Sequence, residues 1–311
     1  MTVAPPERLA VFRILLGSFV TAYLVIRLPV FIELTSRETN RFDPAGLFRL
    51  GDAPLGAGLY LALIGLTIPA GIAFTVGWRF RFTGPTFAVL LLVVTSYRSS
   101  WGQLLHFENL MVLHVMVLAP FRAADAWSLD ALRGEDRVAG GASPHVRYHF
   151  PLQLASVIVV VTYVLAGIAK LRYGGLDWVR GDSLRNHIAY AAARVELLGG
   201  NSSPFAAFAV RNAWILPPAA VASIVIELGA PLALISKRTR NAWVALAWLM
   251  HAGILALMLI VFPSPLLLIA FAPMFELERL AECLGRARPR LSSQRNSTQQ
   301  RLRRRRTRSS T

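Results

Sequence analysis

Four ionisable side chains stand in apolar stretches of the sequence: His106, Lys170, Glu227 and His251. A charge at membrane depth is costly, so each of them invites a functional reading. Lys170 closes the run Tyr163-Val164-Leu165-Ala166-Gly167-Ile168-Ala169-Lys170-Leu171. A lysine at such a place can snorkel, with its stem in lipid and its ammonium in water. Held in a partly apolar mouth, the same amine can serve as a base. Ala166, Gly167 and Ala169 are small enough to let a second helix approach closely. His106 lies within Trp101-Gly102-Gln103-Leu104-Leu105-His106-Phe107-Glu108-Asn109. Helical spacing puts Gln103, His106 and Asn109 on neighbouring surface and turns Glu108 largely away. Either a hydrogen bond across helices or a site role suits that histidine. His251 falls in mid-run and is expected to face the bundle interior or a cavity. Glu227 needs a partner or a proton, and Arg13, deep in the first apolar run, is the candidate counter-ion for a structural Arg13–Glu227 pair. His106 and His114 are about two helical turns apart, too far for joint ligation, so no metal is expected.

These groups must be positioned by membrane helices. Of 311 residues, 55% are hydrophobic and 16% charged, with a mean hydropathy of +0.50. Soluble domains rarely combine the two. About 20 apolar helical residues cross a bilayer, and the apolar runs fall at 9–33, 54–77, 83–97, 104–121, 150–170, 214–235, 241–262 and 264–275. The expected architecture is therefore all-α, a polytopic bundle of about eight spans. The run 83–97 is short and contains Pro85; 264–275 is shorter still and could be re-entrant. Arg13 inside the first run, and the length of that run, argue against a cleaved signal peptide. A single Cys283 excludes an internal disulfide framework. Gly-rich phosphate loops, the Walker lysine, His-Glu-x-x-His and the nucleophile elbow are all missing.

Arginine marks the cytoplasmic side. Arg79 and Arg81, the turn Lys237-Arg238-Thr239-Arg240 and the cluster Arg301–Arg308 share one side if there are eight spans, which would place both termini in the cytoplasm. The longest outer connection is 171–213, where Ser183–Leu198 has mixed apolar and basic faces and is expected to lie as an interfacial amphipathic helix. Residues 1–284 form the membrane domain. Residues 285–311 are an Arg-rich, disordered tail. The tail is a topology anchor or a ligand for anionic lipid headgroups; nucleic acid is not an expected partner.

Leu165–Leu171, followed by Leu176-Asp177-Trp178-Val179-Arg180-Gly181-Asp182-Ser183-Leu184, resembles the pattern Ala-Gly-x-x-Lys-Leu then Asp-Trp-x-x-Gly. That pattern belongs to the membrane half of vitamin K-dependent gamma-carboxylase and to its bacterial relatives, the HTTM (horizontally transferred transmembrane) family. Phe12-Arg13, Trp101 with His106, Ala126-Trp127-Ser128-Leu129-Asp130 and His251 match it more weakly. The likeness covers roughly residues 8–276. It implies a membrane-helix fold and quinone-linked oxygenation or carboxylation chemistry, with Lys170 as base and His106 and His251 as its catalytic neighbours. It also implies Trp101, Asn109 and Trp178 as cofactor-binding residues, and a reduced, vitamin K-like quinone as cofactor. Where the family has paired lysines, this chain has Ala169 and Lys170. Beside the enzyme reading stands a non-catalytic membrane module that binds lipid or a partner protein.

Overall fold

The computed structural model describes residues 3–51, 53–102, 106–134 and 143–279, leaving out the side chains of residues 106 and 107. The expected disordered tail, 285–311, lies outside the described residues, and so does the side chain of His106. The chain separates into Met1–Phe275 and Glu276–Thr311.

Met1–Phe275 is helical. In chain order its α-helices are α1 (Pro6–Ile26), α2 (Leu28–Glu33), α3 (Ala57–Val76), α4 (Phe80–Ser99), α5 (His106–Leu118), α6 (Leu129–Arg133), α7 (Val146–Ala169), α8 (Gly175–Val179), α9 (Asp182–Leu197), α10 (Pro204–Arg211), α11 (Leu216–Leu228), α12 (Lys237–Met258) and α13 (Pro263–Leu266). Among the described residues five helices are long and apolar enough to cross a membrane. They begin at Pro6, Ala57, Phe80, Val146 and Lys237. The pair α10 and α11, bent by 91°, raises the count to six if it is one span.

The differences from the expected runs have local causes. The run 9–33 breaks at Arg27, because Pro29 in the first turn of α2 has no N–H with which to continue α1. Pro85 falls in the second turn of α4, so one carbonyl is freed near the helix entrance and the helix still spans Phe80–Ser99. The run 264–275 is not a helix. After the four residues of α13 the backbone passes through Leu268 at φ +60° and ends in a 3-10 turn at Ala272–Met274. It nevertheless retraces α12. Trp248 Nε1 donates to the Leu266 carbonyl (3.1 Å), and Arg240 Nη1 donates to that of Met274 (2.8 Å).

Tyr163 and Val159 of α7 pack with Trp243 and Ala247 of α12 and with Phe271 of the returning segment, forming one apolar core. α1, α5 and α11 also pack on α7. A second, smaller core joins Ile188 of α9 to Ala206 and Ala209 of α10 and to Leu216.

Arg13 is fully buried and ties three segments together. Its Nη1 donates to the Ala123 carbonyl (2.5 Å), its Nη2 to that of Trp127 (2.5 Å) and its Nε to that of Thr75 (3.3 Å). The α3–α4 turn is fixed beside it. Gly77 stands at φ +65°, where a Cβ would come within 2.5 Å of Ser128 Cβ and 3.0 Å of Arg13 Nη1. The Asp130 carboxylate accepts from the backbone N–H groups of Arg79 (2.7 Å) and Phe80 (2.8 Å). The expected Arg13–Glu227 pair is therefore corrected. Arg13 is saturated by carbonyls on the α3–α4 side of the bundle, and Glu227 has another partner. Sequence alone misassigned it because backbone carbonyls, which any sequence supplies, can satisfy a guanidinium.

Candidate functional site

α7 ends at Ala169, and the chain continues from Lys170 to Gly174 as a π-helical turn. Such turns widen the helix and commonly accompany functional sites. Here the widening sets Lys170 between two partners. Its Nζ donates to Glu227 Oε1 of α11. On its other side Nζ lies over the ring of Trp178, 5.1 Å from the centroid, a geometry in which the ring's negative face attracts a cation. Trp178 is oriented in turn: its Nε1 donates to Ser223 Oγ (3.2 Å) and its ring packs on that of His187 (5.8 Å).

Two glycines allow this arrangement. A Cβ on Gly167 would come within 2.8 Å of Leu228 Cδ2 and 3.1 Å of Glu227 Cβ. Gly167 thus sets how near α11, and with it Glu227, can approach Lys170. Gly181, at φ +84°, links α8 to α9, and a Cβ there would meet the backbone of Leu216 and Pro217 at under 3 Å. Gly167→Ala is expected to push α11 outward and to cost about 1–3 kcal/mol as an overpacking change. Thermal unfolding of the purified variant measures this. An unchanged melting temperature would show that α11 can shift freely.

Lys170 and Trp178 line a cavity of about 740 Å³, within the roughly 300–1,000 Å³ typical of ligand pockets. Its walls are otherwise mainly apolar. α9 contributes Leu184 and Ala191, α11 contributes Ile226, and α12 with the segment after it contributes Leu249, Ile254 and Phe262. The helix expected at Ser183–Leu198 is thus present as Asp182–Leu197, and a mixed face of it, with Leu184, Ala191 and Val195 beside His187 and Arg194, forms one wall of the cavity.

The other anticipated site residues distribute as follows. Trp178 lines the cavity. His251 is buried one layer away. Its Nε2 is 2.7 Å from the Tyr163 hydroxyl, and its ring packs on cavity-lining Phe262 at 4.9 Å. Tyr163 is two turns below Lys170 on α7, about 10 Å along the axis. Trp101 instead belongs to an aromatic cluster with Phe42 (5.3 Å) and Tyr97 (5.8 Å). Asn109 is exposed. Neither Trp101 nor Asn109 lines the cavity. Glu108 does point away from Asn109, but it is Glu108 that is buried, accepting from the Tyr23 hydroxyl and from Arg98 Nη1 (3.2 Å). The Tyr23 hydroxyl on α1 and the Arg98 guanidinium on α4 draw it inward, and an i, i+3 count within one helix cannot register partners on other helices. Tyr163, His187 and Ser223 went unnoticed in the sequence, since each is polar and unremarkable until the fold brings it beside Lys170, Trp178 or His251.

Apolar helices of membrane-crossing length define an integral membrane protein, with a candidate site where a part-buried Lys170–Glu227 pair meets a mainly apolar cavity. The chain belongs to the HTTM family, whose domain model matches residues 3–277. No curated protein and no solved structure matches it.

Proposed function

We propose that the protein is a multi-pass enzyme of the cell membrane that takes a quinone-type lipid into the cavity and uses Lys170 as the base in a quinone-linked oxygenation of the carboxylase type. The observation that carries this reading is the position of Lys170. It is pinned between Glu227 and Trp178 in the wall of a mainly apolar cavity. The cavity's size and lining suit an aromatic head with an isoprenoid chain. Trp178 offers a ring face to the head, and Leu184, Leu249 and Ile254 offer apolar surface to the chain. A reduced quinone supplies the reducing equivalents for oxygen. Lys170 supplies the proton acceptor: transfer of its own proton to Glu227 leaves a neutral amine, whose lone pair can take a hydroxyl proton. His251, paired with Tyr163, holds the wall behind Phe262.

In this proposal the chain crosses the membrane eight times with both termini cytoplasmic. The bent α10–α11 pair and the irregular 263–275 segment serve as the sixth and eighth crossings. The basic turns at 79–81 and 237–240 support that orientation.

Purified protein supplied with reduced quinone and oxygen tests the enzyme reading. Lys170→Ala is expected to slow quinone oxidation by about 10²–10⁴-fold, the usual contribution of a positioned base. Equal rates in both proteins would remove Lys170 from the mechanism. The alternative is non-catalytic binding of a lipid or a partner protein. It is favoured by the salt link to Glu227, which keeps the Lys170 Nζ engaged by a partner. Lipid that co-purifies equally with wild type and Lys170→Ala, without oxidation by either, would decide for it.

A further inference from the structure

We propose that Glu227 selects the head-group charge accepted by the cavity: with Glu227 present the site takes an uncharged, hydroxyl- or carbonyl-bearing lipid and turns away anionic amphiphiles. Lys170 is a cation in the cavity lining, with a side chain 21% exposed. A lone ammonium in that position would make an apolar cavity a receptor for fatty-acid carboxylates or lipid phosphates, because a charge pair attracts strongly once water is excluded. Glu227 removes that attraction. Its side chain is 5% exposed and bonded through Oε1 to Nζ, and it lies behind Lys170, outside the cavity lining. An entering lipid therefore meets a pair with no net charge.

The remaining groups facing Lys170 do not restore a charge. Trp178 of α8 offers a ring face, and Ser223 of α11 a hydroxyl already bonded to Trp178. His187 of α9 packs on the ring of Trp178 and lines the cavity beside it. α12 presents Leu249, Met250 and Gly253. Arg194 of α9 also lines the cavity but is exposed, and an exposed charge is screened. Glu227 also leaves Oε2 buried without a hydrogen-bond partner. An unsatisfied carboxylate oxygen is costly, and it is tolerated here beside the ammonium that it neutralises. The inference rests on the cavity being a lipid site, as proposed above, but requires no turnover.

Binding of two probes with the same chain, a decyl-substituted hydroquinone and decanoate, tests it. Tryptophan emission is the readout, and Trp178→Phe identifies the signal that belongs to the site. At about pH 8 decanoate is ionised. Wild type is expected to bind the hydroquinone at least about tenfold more tightly than decanoate, and Glu227→Gln to reverse that order, as a newly uncompensated charge would require. The double variant Lys170→Gln/Glu227→Gln, with neither charge, is expected to regain the preference for the neutral probe. It also controls for folding if the single variant is unstable. Wild type that prefers decanoate overturns the proposal, as does a double variant that prefers it. A folded Glu227→Gln protein with an unchanged ratio does the same. Should neither probe bind wild type, the lipid-site reading and this inference fall together. Should selection hold without any oxidation of hydroquinone, the inference stands and only the catalytic reading falls.

Discussion

Arg13→Met is expected to cost about 3–5 kcal/mol, the usual penalty for removing one side of a buried charged network. For a domain of this size that corresponds to a fall in melting temperature of about 6–20 °C. Methionine keeps much of the length and all of the apolar character of the arginine stem, so the loss comes from the guanidinium. Four carbonyls, on Thr75, Ala123, Ala126 and Trp127, lose their donor at once. They sit in a region that excludes water, where each orphaned acceptor costs about 1–3 kcal/mol. The damage does not stay local. The same residues hold the α3–α4 turn against the segment before α6, through Gly77, Ser128 and Asp130. Arg13→Lys is expected to recover less than half of the loss. An ammonium keeps the charge, but it is a point donor that cannot span carbonyls lying on different sides of a planar fork. Thermal unfolding in detergent measures both variants. A melting temperature within about 2 °C of wild type for Arg13→Met would show that the carbonyls find other donors.

The sequence exposes the bundle readily, because a bilayer imposes a length and a composition that local residues must meet alone. It exposes half of the site for a similar reason. Lys170, Trp178 and Gly181 lie within twelve residues of one another, and the small residues before Lys170 show that a neighbour comes close. Which neighbour comes close is a tertiary fact. Glu227 and Arg13 were each conspicuous as buried charges, and joining them was the shortest explanation in one dimension. The fold separates them because Arg13 is satisfied by carbonyls, and a carbonyl leaves no mark in a sequence. The same limit explains α5, where Glu108 and not Asn109 turns inward toward Tyr23 and Arg98. The cavity wall from α9 was legible as an amphipathic helix, but its apolar face could equally have met lipid. Only its packing with α10, α11 and α12 makes it part of a pocket.

Glu227→Lys is the second large effect. It places an ammonium where the carboxylate holds Lys170, and Gly167 and Leu228 leave α11 little room to move the new side chain away. Two unit charges about 4 Å apart at an effective dielectric near 20 repel by about 4 kcal/mol, where the wild-type pair attracts. Loss of the folded protein in detergent, or a melting temperature lowered by about 8–16 °C, is expected. The charge-swapped protein, Lys170→Glu with Glu227→Lys, separates structure from function. Opposite charges face each other again, so at least half of the stability should return. Ligand binding and quinone oxidation should not return with it. The carboxylate now meets the negative face of Trp178, which attracts cations and not anions, and the amine has moved behind the cavity wall. A swapped protein as unstable as Glu227→Lys would mean that the pair is more than a matched charge at this place. One that is stable and fully active would mean that neither side chain acts on the ligand, leaving Lys170 a strut between α7 and α11.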